Sequence, residues 1–457
     1  MTQPKHPTPA YDDEGVQRLR AFVEELTGGR ITKMERQIRW RPAWFAEIEK
    51  DGATTELYLR GDRAGDVAIF PELKREADIM TVLHDHGIPV PRILGYCADP
   101  PCIVMDSLAG TRDMADAADD ATRVAISQDY MAAVARMHSL PVEPFAEIGM
   151  EWPKTREEIA LVGLNAYMPL YRRTKGKAEP LLEFAIGWIR RNVPQNRSKA
   201  CFIQFDSGQF LLKDGKMTGL YDFEFSMIGD PMVDIATMGM RDSVEPLGAP
   251  LADLCRHYER VSGDTVDDDV VNFHVLQFAV LGTMQFAGTV AKPVPGDPHS
   301  VYLSWDLSLR QLIVMAVCHL AGVKLPELPP LTARTGNNAA LIAKLGDTVA
   351  AINGVAPIDD EQKRQAKDLI ECLMRADSVA AEAVARDLAE VSAYLGQGFS
   401  EWDAAEQALE DYILTAGPEE DAKLIRLLGA IEGRRMQVWG PTEVGVAGRN
   451  VALLPTR

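Results

Sequence analysis

Residues 216–236, KMTGLYDFEFSMIGDPMVDIA, hold the densest group of side chains fit for chemistry in this 457-residue chain. The stretch Met217–Tyr221 reads as a strand that delivers Asp222 and Glu224 at its C-terminal end. Carboxylates at a strand end are hard oxygen donors of the kind Mg2+ takes. Being two positions apart, both can serve one cation only if the strand stops near Phe223. The same two residues would serve equally well as acidic caps of a solvated loop. Gly229-Asp230-Pro231 then predicts a turn, with Asp234 at the start of the next helix.

Elsewhere the residues that usually bind metals are dispersed. His84, His86, His138, His257, His274, His299 and His319 show no ligand spacing. Cys97, Cys102, Cys201, Cys255, Cys318 and Cys372 form no C-x-x-C pair and read as reduced, buried thiols. Asp267-Asp268-Asp269 suits a helix N-terminus, where the helix dipole favours negative charge, and lacks the remaining ligands of a calcium loop. Arg241-Asp242 follows the acidic segment closely enough to reach a substrate, or to act as a helix-end ion pair.

The elements that must position these residues follow from periodicity. Residues 1–15 read as a flexible lead-in, and 14–27 as an amphipathic helix ended by Gly28-Gly29. Strands are expected at Ile31–Trp40, Trp44–Lys50 and Glu56–Arg60, with Asp51-Gly52 as a hairpin turn. A helix at Pro71–Asp85 and two short strands, Arg92–Tyr96 and Cys102–Met105, complete a small antiparallel sheet region. From Thr122 helices dominate (124–139, 151–173, 180–192), interrupted by one strand–turn–strand unit over Ala200–Asp222 with its turn at Asp214-Gly215. They resume from Val233 to about Val323. A proline-rich stretch, LPELPP, marks a boundary at 325–330. Beyond it, helical periodicity over 338–353, 360–396, 401–415 and 418–436 predicts a bundle.

Several blocks in this order resemble the aminoglycoside phosphotransferase family of protein-kinase-like small-molecule kinases. The acidic segment resembles its D-W-E…G-D-P-x-x-D-L-A, with Gly229, Asp230, Pro231, Asp234 and Ala236 in place. Ala133–His138 resembles its L-A-x-L-H helix ending, LKREADIMTVLHDHGIPVPRIL (73–94) its helix-C block and following strand, and CIVMDSLAG (102–110) its hinge. The resemblance spans roughly residues 20–320. It implies an α+β, bilobal protein-kinase-like fold, a small antiparallel-sheet N-lobe (16–106) and a mainly helical C-lobe (107–324). A linker (325–337) and an all-α bundle (338–457) then follow.

Carried over residue by residue, the resemblance makes Asp222 the aspartate that holds Mg2+ against the phosphates of ATP, with Glu224 supporting a second metal or its water. Arg60, in the ELYLR strand, takes the place of the phosphate-pairing lysine and would hold phosphate through its planar fork. Its expected helix partner is Glu76, with Glu72 as the alternative. Backbone groups of Met105 to Ser107 would receive the adenine. His138 is expected to end its helix against the catalytic loop.

The family's catalytic loop, H-G-D-x-x-x-x-N, is altered here to QFDSGQ. With a two-residue deletion, Gln204 replaces the histidine, Phe205 the glycine and Gln209 the asparagine, while Asp206 remains as the base. Without the deletion, Gln204 falls on the aspartate and Asp206 lies within the loop. The first alignment is preferred because it leaves a carboxylate to orient the substrate hydroxyl and accept its proton. The loop expected over the phosphates, RQIRWRPAW (36–44), lacks glycines. Arg36, Arg39 and Arg41 offer charge there, although strand alternation puts Arg36 on the opposite face.

The functional expectation is an ATP- and Mg2+-dependent phosphotransferase that acts on a small-molecule hydroxyl. The alternative is a catalytically silent, nucleotide-binding regulatory or scaffold protein. Family members act on aminoglycosides and on choline-like, sugar and hydroxyacyl compounds, some as portions attached to acyl-CoA dehydrogenases; the residues select none of these. A formal charge of −19 opposes nucleic-acid backbones and anionic membranes as partners. An N-terminus with no apolar core and the absence of an 18-residue apolar run point to a cytoplasmic protein. A homodimer through the C-terminal helices is the partner expectation.

Overall fold

The computed structural model describes residues 11–37, 41–62, 72–243, 246–294, 297–354, 357–440, 451 and 453–455. The expectations placed on Ile38–Trp40, Arg39 among them, and on Pro71 lie outside these residues.

The first helix, α1 (Asp13–Thr27), begins where the Asp12 carboxylate accepts from Gly15 N, and ends at Gly28 with φ 65°. It leads into β1 (Arg30–Arg36), β2 (Ala43–Lys50) and β3 (Ala53–Gly61). The β2–β3 turn holds Asp51 and Gly52 at φ 52° and 81°, the doubly left-handed geometry that matches strand twist in a two-residue hairpin. Helix α2 (Leu73–Asp85) precedes β4 (Ile93–Ala98) and β5 (Pro101–Asp106). The five strands form one antiparallel sheet in the order β1-β2-β3-β5-β4. Alternate residues of the sheet, including Ile31, Trp44, Ala46, Ile48, Leu57, Leu59 and Val104, bury a core with Leu19 and Val23 of α1. Helix α2 packs on β4 and β5, which carries Glu76 into the interior.

Next come α3 (Asp120–His138), α4 (Glu143–Glu147), α5 (Arg156–Ala160), α6 (Val162–Thr174) and α7 (Pro180–Arg191). Four short strands follow: β6 (Cys201–Ile203), β7 (Phe210–Lys213), β8 (Lys216–Leu220) and β9 (Met227–Gly229). The hairpin expected at Asp214-Gly215 is β7–β8, again with both turn residues at positive φ, 51° and 73°. Strand β6 pairs instead with β9, a three-residue strand that the sequence reading did not include and that ends at Gly229, the first residue of the expected turn. Helices α8 (Met232–Asp242) and α9 (Leu251–Ser262) complete this region. The chain then runs through α10 (Asp268–Ala291), α11 (His299–Ala321), α12 (Ala339–Ala351), α13 (Pro357–Leu395), α14 (Trp402–Ile413) and α15 (Asp421–Trp439).

Packing divides the chain into two compact units, Met1–Val162 with Asn196–Val266, and Gly163–Gln195 with Asp267–Arg457. The candidate site residues all belong to the first. Within the second, α7 packs against α10, α11 and α14, and α15 against α11 and α13. A buried ion network ties these helices together: Arg310 of α11 contacts Glu179, Asp306 and Glu432, and Lys175 contacts Glu183 and Glu410. The sequence reading separates a C-lobe ending at 324 from a bundle beginning at 338. Packing instead groups helices on both sides of that proline-rich stretch. Among the described residues, α10 and α11 are long and apolar enough to cross a membrane by length and composition, and 78% of the apolar window of α10 is buried within the protein.

Candidate active site

The β6–β7 connection, Gln204–Gln209, is held from below by Asp234 of α8, which is 1% exposed. The Asp234 carboxylate accepts from Gln204 N at 2.9 Å, Phe205 N at 2.8 Å and His138 Nε2 at 3.1 Å. His138, at the end of α3, is fixed in turn by Tyr258 Oη at 2.8 Å from Nδ1. One buried carboxylate thus satisfies two loop amides that would otherwise be orphaned in the interior. Phe205 stands at φ 71°, a backbone region uncommon for a bulky residue. The alignment that sets Phe205 in the glycine slot assigns this residue the conformation glycine adopts most easily.

The next residue, Asp206, turns its side chain outward and keeps 26% of it exposed. Arg241 Nη2 donates to Asp206 Oδ1 at 2.7 Å, and Arg241 Nε to the Ser207 carbonyl at 3.0 Å. Gln209 Nε2 donates to the Asp206 carbonyl and to Oδ2, at 3.1 and 3.2 Å. Arg241, left open at the sequence level between substrate contact and helix-end ion pair, is here the cation beside Asp206.

Asp222 ends the β7–β8 hairpin at φ 67°, which a short polar side chain tolerates better than most. Its carboxylate meets Arg60 Nη2 at 2.5 Å, while Arg60 Nε donates to Glu76 Oε2 at 2.9 Å. Glu76 Oε1 accepts from Phe223 N at 3.1 Å, so α2, β3 and the Asp222 turn share one charge-assisted chain. Burial works against the charge on Arg60, but Glu76 and Asp222 outweigh it and raise its pKa. Glu72, the alternative partner, is the N-cap residue of α2.

Glu224 points elsewhere. It forms a buried ion pair with Arg41, the two side chains being 6% and 3% exposed, and its carbonyl accepts from Arg75 Nη1. Arg41, considered for phosphate charge, is therefore spent on Glu224, while Arg36 lies over the Trp44 ring at 5.8 Å. In the hinge, Met105 is buried within β5, Asp106 N donates to the Arg92 carbonyl at 3.0 Å, and Ser107 N sits 3.4 Å from the Glu56 carbonyl.

The two loops are stitched to each other. Gln204 Nε2 donates to the carbonyls of Tyr221, at 2.8 Å, and Asp222, at 3.5 Å. Tyr221 N donates back to the Gln209 carbonyl at 3.2 Å. Sequence reasoning missed the hub role of Gln204 and the Arg41–Glu224 pair. An unusual buried glutamine between apolar residues, in CFIQF, was the available signal for the first; nothing local signals the second. The outcome is a site with two kinds of carboxylate. Glu76 and Glu224 are enclosed by arginines, whereas Asp206 and Asp222 keep 26% and 19% of their side chains exposed.

Comparison with known proteins bears on this arrangement. Residues 41–268 match the model of the phosphotransferase enzyme family, APH. Through these residues the chain belongs to the phosphotransferase enzyme family. A solved Ralstonia eutropha protein assigned as an aminoglycoside phosphotransferase superposes with a TM-score of 0.51 at 17% identity, covering 66% of this chain and 96% of its own. At that identity the likeness shows the fold. In sequence, the chain is 22% identical over 215 residues to acyl-CoA dehydrogenase family member 11 of Rattus norvegicus, covering 44% of this chain and 27% of the relative. It is 25% identical over 217 residues to a probable acyl-CoA dehydrogenase of Arabidopsis thaliana, covering 43% and 26%. The chain thus spans about a quarter of the length of these curated relatives. The kinase-like fold, with its antiparallel sheet and helical remainder, stands as expected from the sequence.

Proposed function

We propose that this phosphotransferase moves the γ-phosphoryl group of ATP, taken with Mg2+, onto a hydroxyl of a small molecule. The observation that carries this reading is the pair of accessible aspartates, Asp206 and Asp222, on two loops bonded to each other while the neighbouring glutamates are sealed by arginines. Asp222 and Gln209 are suitable oxygen donors for the metal: the Gln209 amide nitrogen is turned to Asp206, which leaves Oε1 as its donor atom. Glu224, paired with Arg41, is the less suitable third member. When bound, Mg2+ offsets the negative charge of the phosphates.

Asp206 orients the acceptor hydroxyl and receives its proton. Arg241 fixes that carboxylate in direction, which suits a transfer that depends more on positioning than on a strong base. Arg60 contributes a fixed guanidinium beside Asp222 to pair with phosphate oxygens. The base of the nucleotide is assigned to Met105–Ser107, where the long bond from Ser107 N is the one most easily exchanged for a ligand acceptor. None of the six cysteines is in a disulfide, which suits the reducing, ATP-rich cytoplasm.

The test is ATP consumption with a panel of hydroxyl compounds: an aminocyclitol, a choline-like amino alcohol, a sugar, and a hydroxyacyl thioester prompted by the acyl-CoA dehydrogenase relatives. Consumption with one class is expected. Asp206→Asn should reduce it by about 10²–10⁴-fold, and Asp222→Ala should also weaken Mg2+-ATP binding. A wild-type protein that is neither thermally stabilised by Mg2+-ATP nor consumes it would sink the proposal. The second reading, a silent nucleotide-binding protein, is favoured by the altered QFDSGQ loop; stabilisation by Mg2+-ATP with no turnover on any compound would establish it.

A further inference from the structure

Gln204 is fully buried and bonds through both its backbone and its side chain to four different segments. Its N–H donates to Asp234, and its carbonyl accepts from Ser226 Oγ at 3.4 Å. Its amide nitrogen donates to the carbonyls of Tyr221 and Asp222, and its amide oxygen accepts from Tyr130 Oη at 3.4 Å. Tyr130 also accepts from Gly208 N and lies stacked on Phe210 at 4.8 Å between centroids. The amide therefore spans the interval between the loop that carries Asp206 and the turn that carries Asp222. In the protein interior, a polar group this fully satisfied is a rigid spacer, because each bond broken leaves a donor or acceptor of the buried Gln204 short of a partner.

We propose that Gln204 is a positioning residue that sets Asp206 relative to Asp222, so that the loss of the family's histidine leaves the catalytic loop intact. The assignment rests on the phosphotransfer reading above. The requirement it places on position 204 is specific: one N–H donor toward the Tyr221 and Asp222 carbonyls, and one acceptor toward Tyr130. A neutral imidazole offers both, and an isosteric hydrocarbon offers neither. Because Gln204 bonds the peptide carbonyl of Asp222 and not its carboxylate, which Arg60 holds, its loss should fall on the chemical step more than on nucleotide affinity.

The experiment uses full-length Gln204→Leu and Gln204→His, with two readouts. Hydrogen exchange without nucleotide follows peptides covering 204–210 and 220–224. Turnover of ATP, with water or the best acceptor, is set beside the Kd of Mg2+ with a non-hydrolysable ATP analogue. Gln204→Leu is expected to exchange faster in both segments and to lose about tenfold or more in kcat, with Kd changed by less than about twofold; Gln204→His should restore both. Should Gln204→Leu not fold, Tyr130→Phe, which removes the hydroxyl that orients Gln204 and also accepts from Gly208 N, is expected to show the same changes at smaller size, with the 220–224 peptides, away from Gly208, as its deciding readout. Wild-type exchange in Gln204→Leu, or in Tyr130→Phe where that variant stands in for it, would overturn the proposal, as would a Gln204→His no better than Gln204→Leu. If the wild type binds no nucleotide, the phosphotransfer reading fails on its own, while the exchange arm still decides the spacer.

Discussion

Arg60 is the side chain on which the acidic half of the site balances, with Glu76 on one nitrogen and Asp222 on another. Arg60→Met would leave Glu76, 2% exposed, without its cation, and removing one partner of a buried pair costs about 3–5 kcal/mol. Arg60→Lys keeps the charge but loses the fork, so an intermediate loss is expected. Urea unfolding of both variants checks the order; equal stability of Arg60→Met and wild type would mean the pair contributes nothing. This contact was expected from the sequence through the family resemblance, which sets the arginine of the ELYLR strand against a glutamate of the following helix. The Arg41–Glu224 pair was not, since 183 residues separate its members and no local pattern says which distant charge a buried arginine will meet. Arg60 and Glu76 could be named together; Glu224 could be named but not matched.

At the scale of elements, turn chemistry was the most readable signal. Asp51-Gly52 and Asp214-Gly215 both form the left-handed pairs their composition requires, because the steric demand of such a turn is local. Strand β9 was hidden, since three residues are too few for alternation to register and its pairing with β6 is a tertiary choice. The α13–α15 joint offers a prediction that no sequence pattern suggests. Arg434 of α15 bonds Asp387 and Glu390 of α13. Burial nonetheless pushes the Asp387 carboxyl up to about 6 from 3.8, against the pull of Arg434. An acid with a raised folded pKa binds its proton more tightly in the native state, so its contribution to stability is largest near pH 4 and is lost as pH rises through about 6. Asp387→Asn should remove that slope. Between pH 4 and pH 7 the stability difference between the two proteins should change by at most about 3 kcal/mol, in favour of the variant as pH rises. Parallel unfolding midpoints at pH 4, 5, 6 and 7 would show that the carboxyl does not titrate there.

For the molecule as a whole, the order along the chain and the order in space part company. The second unit is assembled from 163–195 and from 267 onward, so the proline-rich stretch near 325–330 is a connection inside a packed body. A chain cut at 337 would lose α12 to α15, and with them the Glu432 partner of Arg310 and the Glu410 partner of Lys175. It would also expose apolar surface of α7 and α11 that is otherwise buried. Such a fragment is expected to aggregate, as size-exclusion chromatography with light scattering would show. A monomeric fragment melting at the temperature of the full chain would mean that the C-terminal helices are dispensable to the rest.

The same discontinuity sets a clock during synthesis. Glu179 N bonds the side chain of Glu410, 231 residues later, and at about 5–20 residues per second a ribosome needs roughly ten to fifty seconds to span that gap. Until α10 and α11 are made, Leu181, Leu182, Phe184 and Ile186 of α7, all buried once folding is complete, wait without the helices it packs on, and until residue 410 they still lack α14. Expression yield of this protein should therefore respond more to translation speed across 195–410, and to the supply of holding chaperones, than to the stability of the finished fold.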